Sequence, residues 1–289
     1  MIKGKSLKEN TIEQLKIHGF RLSKGLGQNF LIDEDILTGI LDGAEIGSED
    51  SVLEIGPGFG VLTTGLCSRA KKVVSVELDN RMFEILKVNL SGFSNFELIE
   101  GDILQIDIKN ILEEKLDGKN TKVVANLPYY ITTPIIMKLL EERHEFKSIT
   151  VMVQKEVANR LCADPGCKEY GAITISVNYY ATVRKILDVP SASFIPPPDV
   201  ESTVIRFDIR EKPPVELIDE ALFFKVIKAA FGQRRKTLLN AISAGGFCEN
   251  KEKVKEILDE CGINGIRRGE TLSIEEFALL ANTIRGVRV

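Results

Sequence analysis

From Ser51 to Arg143, short runs rich in β-branched and apolar residues alternate with stretches whose apolar positions recur at helical spacing. The predicted strands are Ser51–Ile55, Lys72–Leu78, Phe96–Glu100 and Lys122–Ala125, and the predicted helices are Val61–Arg69, Asp79–Leu90 and Thr132–Arg143. Strand and helix in turn are the mark of a parallel sheet covered on its faces. Upstream, residues 11–18 read as helix and stop at Gly19, Arg21 to Asn29 reads as a glycine-containing loop, and Asp33 is placed to cap a helix to about Leu41. Further β-like runs follow at Ser148–Val153, Arg184–Val189 and Ser202–Ile209, interrupted by helical patterns at Lys155–Ala163 and Ala172–Tyr180. No helix separates the last two strands, which predicts an antiparallel pairing at the end of the sheet. Their connection, Phe194-Ile195-Pro196-Pro197-Pro198-Asp199, is stiffened by prolines that fix φ and lack an N–H.

The pattern changes at Arg210-Glu211-Lys212-Pro213-Pro214, which reads as a linker. Beyond it the chain is helical throughout: Ala221–Phe231, Lys236–Ser243, Lys251–Glu260 and Ile274–Ile284, punctuated by Gly232, Gly245-Gly246, Gly262 and Gly269. Helices this short need tertiary partners. The expected organisation is therefore a large domain over residues 1–210 and a small all-helical one over 215–289, which suits a length of 289 residues.

Composition excludes more than it proposes. Hydrophobic content of 44% and charged content of 28% are those of an ordinary globular protein. No apolar run approaches the roughly 18 residues a membrane span requires. Met1-Ile2-Lys3-Gly4-Lys5 leads into polar sequence rather than a signal-peptide core, so no membrane partner and a cytoplasmic location are expected. The 5 cysteines are odd in number and scattered, which reads as reduced thiols, and with only 2 histidines no zinc set is completed. A net charge of −4 argues against indiscriminate nucleic-acid binding. RNA contact would have to come from local patches such as Arg21 and Lys24, Arg184-Lys185, Arg234-Arg235-Lys236 or Arg267-Arg268, each of which alone reads as a solvated face.

Candidate chemistry sits at the ends of the predicted parallel strands. Gly56, Gly58 and Gly60 follow the first, where the lack of a Cβ permits a sharp turn and close approach to a ligand. A dinucleotide fingerprint has its third small residue one position later, which here is Val61. The compressed G-x-G-x-G resembles S-adenosylmethionine-dependent methyltransferases, whose cofactor has no pyrophosphate. Glu77 ends the second strand, about where an acid meets ribose hydroxyls, and Gly101-Asp102 follows the third, where a carboxylate could accept from an adenine amine. Any one of these also reads as an ordinary turn or surface acid; their shared edge of the sheet is the stronger signal.

Asn126-Leu127-Pro128-Tyr129 follows the fourth strand on that same edge. Asn126 Oδ1 and the Leu127 carbonyl are acceptors suited to the two N–H groups of an exocyclic amine. Pro128 would fix the turn and Tyr129 could stack on the base; a plain Asn/Pro turn is the alternative.

With these motifs the chain resembles the ribosomal RNA adenine N6-dimethyltransferase family, specifically the bacterial small-subunit (16S) type. The stretches concerned are Leu26-Gly27-Gln28-Asn29-Phe30-Leu31, Leu53 to Gly60, Glu77-Leu78-Asp79, Gly101-Asp102, Asn126 to Tyr130, Phe194 to Ser202 and Phe231 to Asn240. The resemblance implies a Rossmann-like α/β methyltransferase sheet with a helical C-terminal domain, S-adenosylmethionine as cofactor, and dimethylation of two adjacent adenines in small-subunit rRNA of a pre-30S particle by a monomer. It further implies that Asn29, Leu31 and Gly56 meet the methionine end, Glu77 the ribose and Asp102 the adenine, with Asn126 joining cofactor and target sites. Phe194 would face Tyr129 across a flipped base. Arg234, Arg235 and Lys236 either hold rRNA phosphates or pair with acids of the large domain. Two alternatives stay open: a large-subunit rRNA methyltransferase of the macrolide-resistance type, and a non-catalytic RNA-binding assembly or transcription factor.

Overall fold

A computed structural model describes residues 5–18, 29–116 and 120–287; Arg21, Lys24 and the Leu26-Gly27-Gln28 segment lie outside the described residues. The chain divides into two compact units, one spanning Met1–Ala158 with Thr182–Ile209 and the other Asn159–Ala181 with Arg210–Val289. The second unit therefore draws on residues 159–181 as well as on the chain beyond Arg210.

In the first unit, α1 (Leu7–Ile17) starts at Ser6, whose hydroxyl accepts from the Glu9 N–H while Glu9 accepts from the Ser6 N–H. Strand β1 (Phe30–Leu31) leads to α2 (Glu34–Gly43), capped by Asp33, whose carboxylate accepts from the N–H groups of Asp35 and Ile36. The alternating section follows as β2 (Ser51–Ile55), α3 (Val61–Cys67), β3 (Lys72–Glu77), α4 (Arg81–Asn89), β4 (Phe96–Glu100), α5 (Ile108–Glu114), β5 (Thr121–Asn126), α6 (Thr132–Glu141) and β6 (Ser148–Gln154). Then come α7 (Lys155–Leu161), α8 (Ala172–Tyr180), β7 (Ala181–Val189), β8 (Phe194–Ile195) and β9 (Ser202–Ile209). Strand order in the main sheet is β4-β3-β2-β5-β6-β9-β7. The first five are mutually parallel, and β9 runs antiparallel to β6. β2 and most of β3 and β5 are buried along their length, which is why they read as continuous apolar runs. A second, two-stranded sheet pairs β1 with β8, setting Phe30 opposite Ile195 and Leu31 opposite Phe194.

The chain goes outward from β2 to β3 and β4, then crosses to the other side of β2 for β5. That reversal opens a crevice beyond the carboxyl ends of β2 and β5, the place where open α/β sheets bind ligands. This is a Rossmann-like α/β fold.

The second unit contains α8 and four further helices, α9 (Glu220–Gly232), α10 (Leu238–Ala244), α11 (Lys251–Glu260) and α12 (Ile274–Val287). They share a core in which Tyr170, Ile175 and Tyr179 from the inserted segment pack with Phe223, Val226, Ile242, Ile257 and Phe277. The Tyr170 hydroxyl donates to the Leu272 carbonyl at 2.9 Å, fastening the insertion to the helical tail. Among the described residues no helix is long and apolar enough to cross a membrane.

Candidate active site

The strand ends surround one cavity. Its walls include Asn29 and Leu31, Gly56 to Phe59, Glu77 to Asp79, Gly101 to Ile103, and Asn126 to Ile131, around about 1190 Å³ of space that includes open solvent. Four of the five parallel strands thus deliver their C-terminal ends to it: β2 the glycines, β3 Glu77, β4 Asp102 and β5 Asn126.

All three glycines take the left-handed conformation, with φ of 67° at Gly56, 57° at Gly58 and 83° at Gly60. A side chain there is strained, so the turn depends on glycine. A Cβ on Gly56 would meet no protein atom within 4 Å and would enter the cavity, whereas one on Gly58 would lie 3.3 Å from the Phe30 ring. Gly60 caps the start of α3 and does not line the cavity; a Cβ there would press on Leu86 of α4 and on Leu90 just beyond it, at 3.3 and 3.4 Å. Its smallness serves packing between the turn and the helix.

Glu77 is buried, and its two oxygens accept from the Asp79 N–H at 2.8 Å and the Gly58 N–H at 3.4 Å. Burial pushes its carboxyl above the usual range, while the N–H groups of Asp79, Gly58 and Leu78 pull it back. Each oxygen keeps a lone pair for further donors, such as vicinal hydroxyls. Asp102 Oδ1 accepts from the Leu104 N–H and Oδ2 from the Gln105 side chain, both at 2.9 Å, which holds the carboxylate at the cavity edge. Asn126 donates through Nδ2 to the Asn29 carbonyl at 3.3 Å, which leaves its Oδ1 as the acceptor end of the amide. The Leu127 N–H donates to the Met152 carbonyl. The Tyr129 hydroxyl lies 2.7 Å from the Ser202 hydroxyl of β9, and burial raises its phenol pKa, keeping it protonated near neutrality.

The donor and acceptor set fits a nucleoside cofactor beside an amine. Residues 19–279 match the family described as "Ribosomal RNA adenine dimethylase". The chain belongs to the ribosomal RNA adenine dimethylase family. A protein of Alkaliphilus oremlandii (strain OhILAs) named "Ribosomal RNA small subunit methyltransferase A" is 50% identical over 276 residues, covering 96% of each chain. A solved dimethyladenosine transferase from Plasmodium falciparum is similar at 30% identity with a TM-score of 0.74, covering 87% of this chain and 95% of that one. A solved 23S rRNA methyltransferase, ErmE, is similar at 25% identity with a TM-score of 0.70, covering 89% and 100%.

Within this dimethylase fold one expected site residue, Phe194, lies away from the cavity. Phe194 does not line it: pairing of β8 with β1 turns the ring into the core, where it is 2% exposed among Leu31, Ile40, Met152, Val189 and Val204. The Arg234 side chain is about half open to solvent. Its guanidinium donates to Glu270 at 2.8 Å and to the carbonyls of Lys168 and Tyr170, all within the second unit. Arg235 and Lys236 are exposed.

The structure also shows participants that motif reading passed over. Phe30 and Phe59 stack with centroids 4.2 Å apart on the cavity wall, a pair whose members sit inside the quoted motifs without standing out. Glu54, 1% exposed in β2, accepts from the Thr63 hydroxyl at 2.7 Å and the Ser75 hydroxyl at 2.5 Å through Oε2, while Oε1 has no partner among the described residues. Burial raises its pKa to about 7. An acid in an otherwise apolar strand was the available signal.

Proposed function

We propose that this chain transfers methyl groups from S-adenosylmethionine to the N6 amines of two adjacent adenines in small-subunit rRNA, within an immature 30S particle. The observation that supports the reading best is the convergence, in one cavity, of the Gly56 turn and Glu77 with Asn126 and Leu127 at the neighbouring strand end. S-adenosylmethionine, when bound, supplies an electrophilic methyl group on a sulfonium centre. The chain's residues fit it: the left-handed glycines leave room where a Gly56 side chain would intrude, Glu77 offers lone pairs for the ribose, and Asp102 lies at the next strand end for the adenine.

The target amine is a weak nucleophile because its lone pair is delocalised into the ring. Asn126 Oδ1 and the Leu127 carbonyl accept its two N–H groups and favour a pyramidal nitrogen, whose lone pair is then available for in-line attack. Asn126 is oriented for this by its bond to the Asn29 carbonyl, and Pro128 fixes the turn at φ −59°. Transfer to that nitrogen would form the C–N bond as the cofactor's C–S bond gave its electron pair to sulfur, and the proton of the methylated amine would leave to water. Most of the catalytic contribution is then positioning and polarisation. In the helical unit, Arg235 and Lys236 are proposed to hold rRNA phosphates, while Arg234 braces the turn that presents them.

The test is mass spectrometry of rRNA from immature small subunits incubated with the protein and S-adenosylmethionine. Dimethyladenosine at two adjacent positions is expected; its appearance only in large-subunit rRNA, or nowhere, would refute the reading. Asn126→Ala should nearly abolish transfer while calorimetry still detects cofactor binding.

A further inference from the structure

Tyr130 is the exposed Phe or Tyr among the described residues: it is 54% accessible, while every other described ring of these types is at least half-buried into its unit. It nevertheless lines the cavity that holds Asn126 and Tyr129. A large ring left open to water beside a binding site is unusual for a side chain with so much area to bury.

Its direction follows from the local backbone. Residues Tyr129–Ile131 form a 3₁₀ turn, in which successive side chains point about 120° apart. Tyr129 is tethered to Ser202 of β9. The two rings therefore diverge and cannot cover the same base. Tyr130 also follows β5, which stands two strands from the β3 end that carries Glu77, roughly 10 Å across the sheet. That places it on the acceptor side of the cavity, away from the ribose site.

We propose that Tyr130 stacks on the nucleobase adjoining the adenine held at Asn126, fixing the strand while one base of the adjacent pair is methylated. This rests on the rRNA reading above and adds a second contact in the RNA beyond the target base. A stacking platform suits this position because every base offers a π-face, so the same ring serves whichever adenine of the pair is outside.

The experiment measures steady-state methyl transfer to immature small subunits by the full chain and by Tyr130→Ala and Tyr130→Phe variants, with S-adenosylmethionine affinity measured by calorimetry on each. Tyr130→Ala is expected to raise KM for the particle about 5- to 150-fold, which corresponds to the alanine-substitution cost of a lost base stack. Tyr130→Phe should stay within about twofold of the parent, and cofactor affinity should be unchanged in both. An unchanged KM in Tyr130→Ala overturns the proposal. So does an equal loss in both variants, which would assign the role to the hydroxyl, or a loss of cofactor affinity, which would place the ring over the cofactor. A parent chain that forms no dimethyladenosine would instead refute the underlying rRNA reading.

Discussion

Glu54→Gln isolates a buried acid whose protonation state is set by its surroundings. Its carboxyl is raised from 4.5 to about 7, with burial the largest cause, the Ser75 and Thr63 hydroxyls acting against it and the neighbouring Glu77 charge adding to it. A folded-state pKa above the unfolded value means that the native protein binds this proton more tightly than the unfolded chain does. The resulting stability is fully present below about pH 4.5 and is lost as pH rises through about 7. A shift of that size corresponds to about 3 kcal/mol. Glutamine keeps the shape, and its carbonyl can accept from both hydroxyls as Oε2 does, but it has no proton to lose. Urea denaturation should therefore find the variant within about 1 kcal/mol of the parent at pH 5 and more stable by about 3 kcal/mol at pH 8.5. Carboxyls held low in the folded state, such as Glu97 with Lys115 and Lys72 or Glu276 with Arg267, titrate below this window and are common to both proteins. Glu77, whose pKa is also raised, acts in the same direction and is likewise present in both. Parallel stability curves from pH 5 to 8.5 would refute the account.

Gly56→Ala should cost about 1–2 kcal/mol from left-handed strain and also weaken S-adenosylmethionine binding, because its Cβ enters the cavity; unaltered calorimetric affinity would count against the cradle. Phe194→Ala should lower stability by about 3–5 kcal/mol in thermal or urea unfolding, as for a filled core site, and Phe194→Leu by much less. Binding of Arg235→Ala to small-subunit particles should lose about one unit of salt slope, whereas Arg234→Ala, an ion pair half open to solvent, should leave the slope unchanged and cost about 0.2–1 kcal/mol of stability.

The strands of the main sheet were the most legible part of the fold. Ser51–Ile55, Phe96–Glu100 and Ser202–Ile209 are observed with the bounds their composition predicts, and Asp33 caps its helix as expected. Local signals suffice where an element is long or carries its own cap. α5 is an exception: Asp107 caps it, yet no helix was expected over Ile108–Glu114. β1 and β8 are two residues each and exist only because they meet, so no periodicity could reveal them. The same pairing decides that Phe194 faces the core. In the site, Asn126, Glu77, Asp102 and the glycines could be placed together because each follows a predicted strand. The state of Glu54 could not, since its hydroxyl partners, Thr63 and Ser75, come from a different helix and strand. Nor does any shift in composition announce that residues 159–181 share a core with the helical tail.

The small β1–β8 sheet sets the order in which the cavity can be completed as the chain emerges from a ribosome. Asn29, on the cavity wall and bonded to Asn126, adjoins a strand whose partner comes only at Phe194, and the Ser193 hydroxyl bonds to Asp33 across 160 residues. A nascent chain that has already made every glycine and carboxylate of the site still lacks the segment that pins its amino-terminal wall. Closing so long a loop is slow compared with forming the local βα units. The amino-terminal wall of the cavity is thereby pinned only once about two-thirds of the 289 residues have been made.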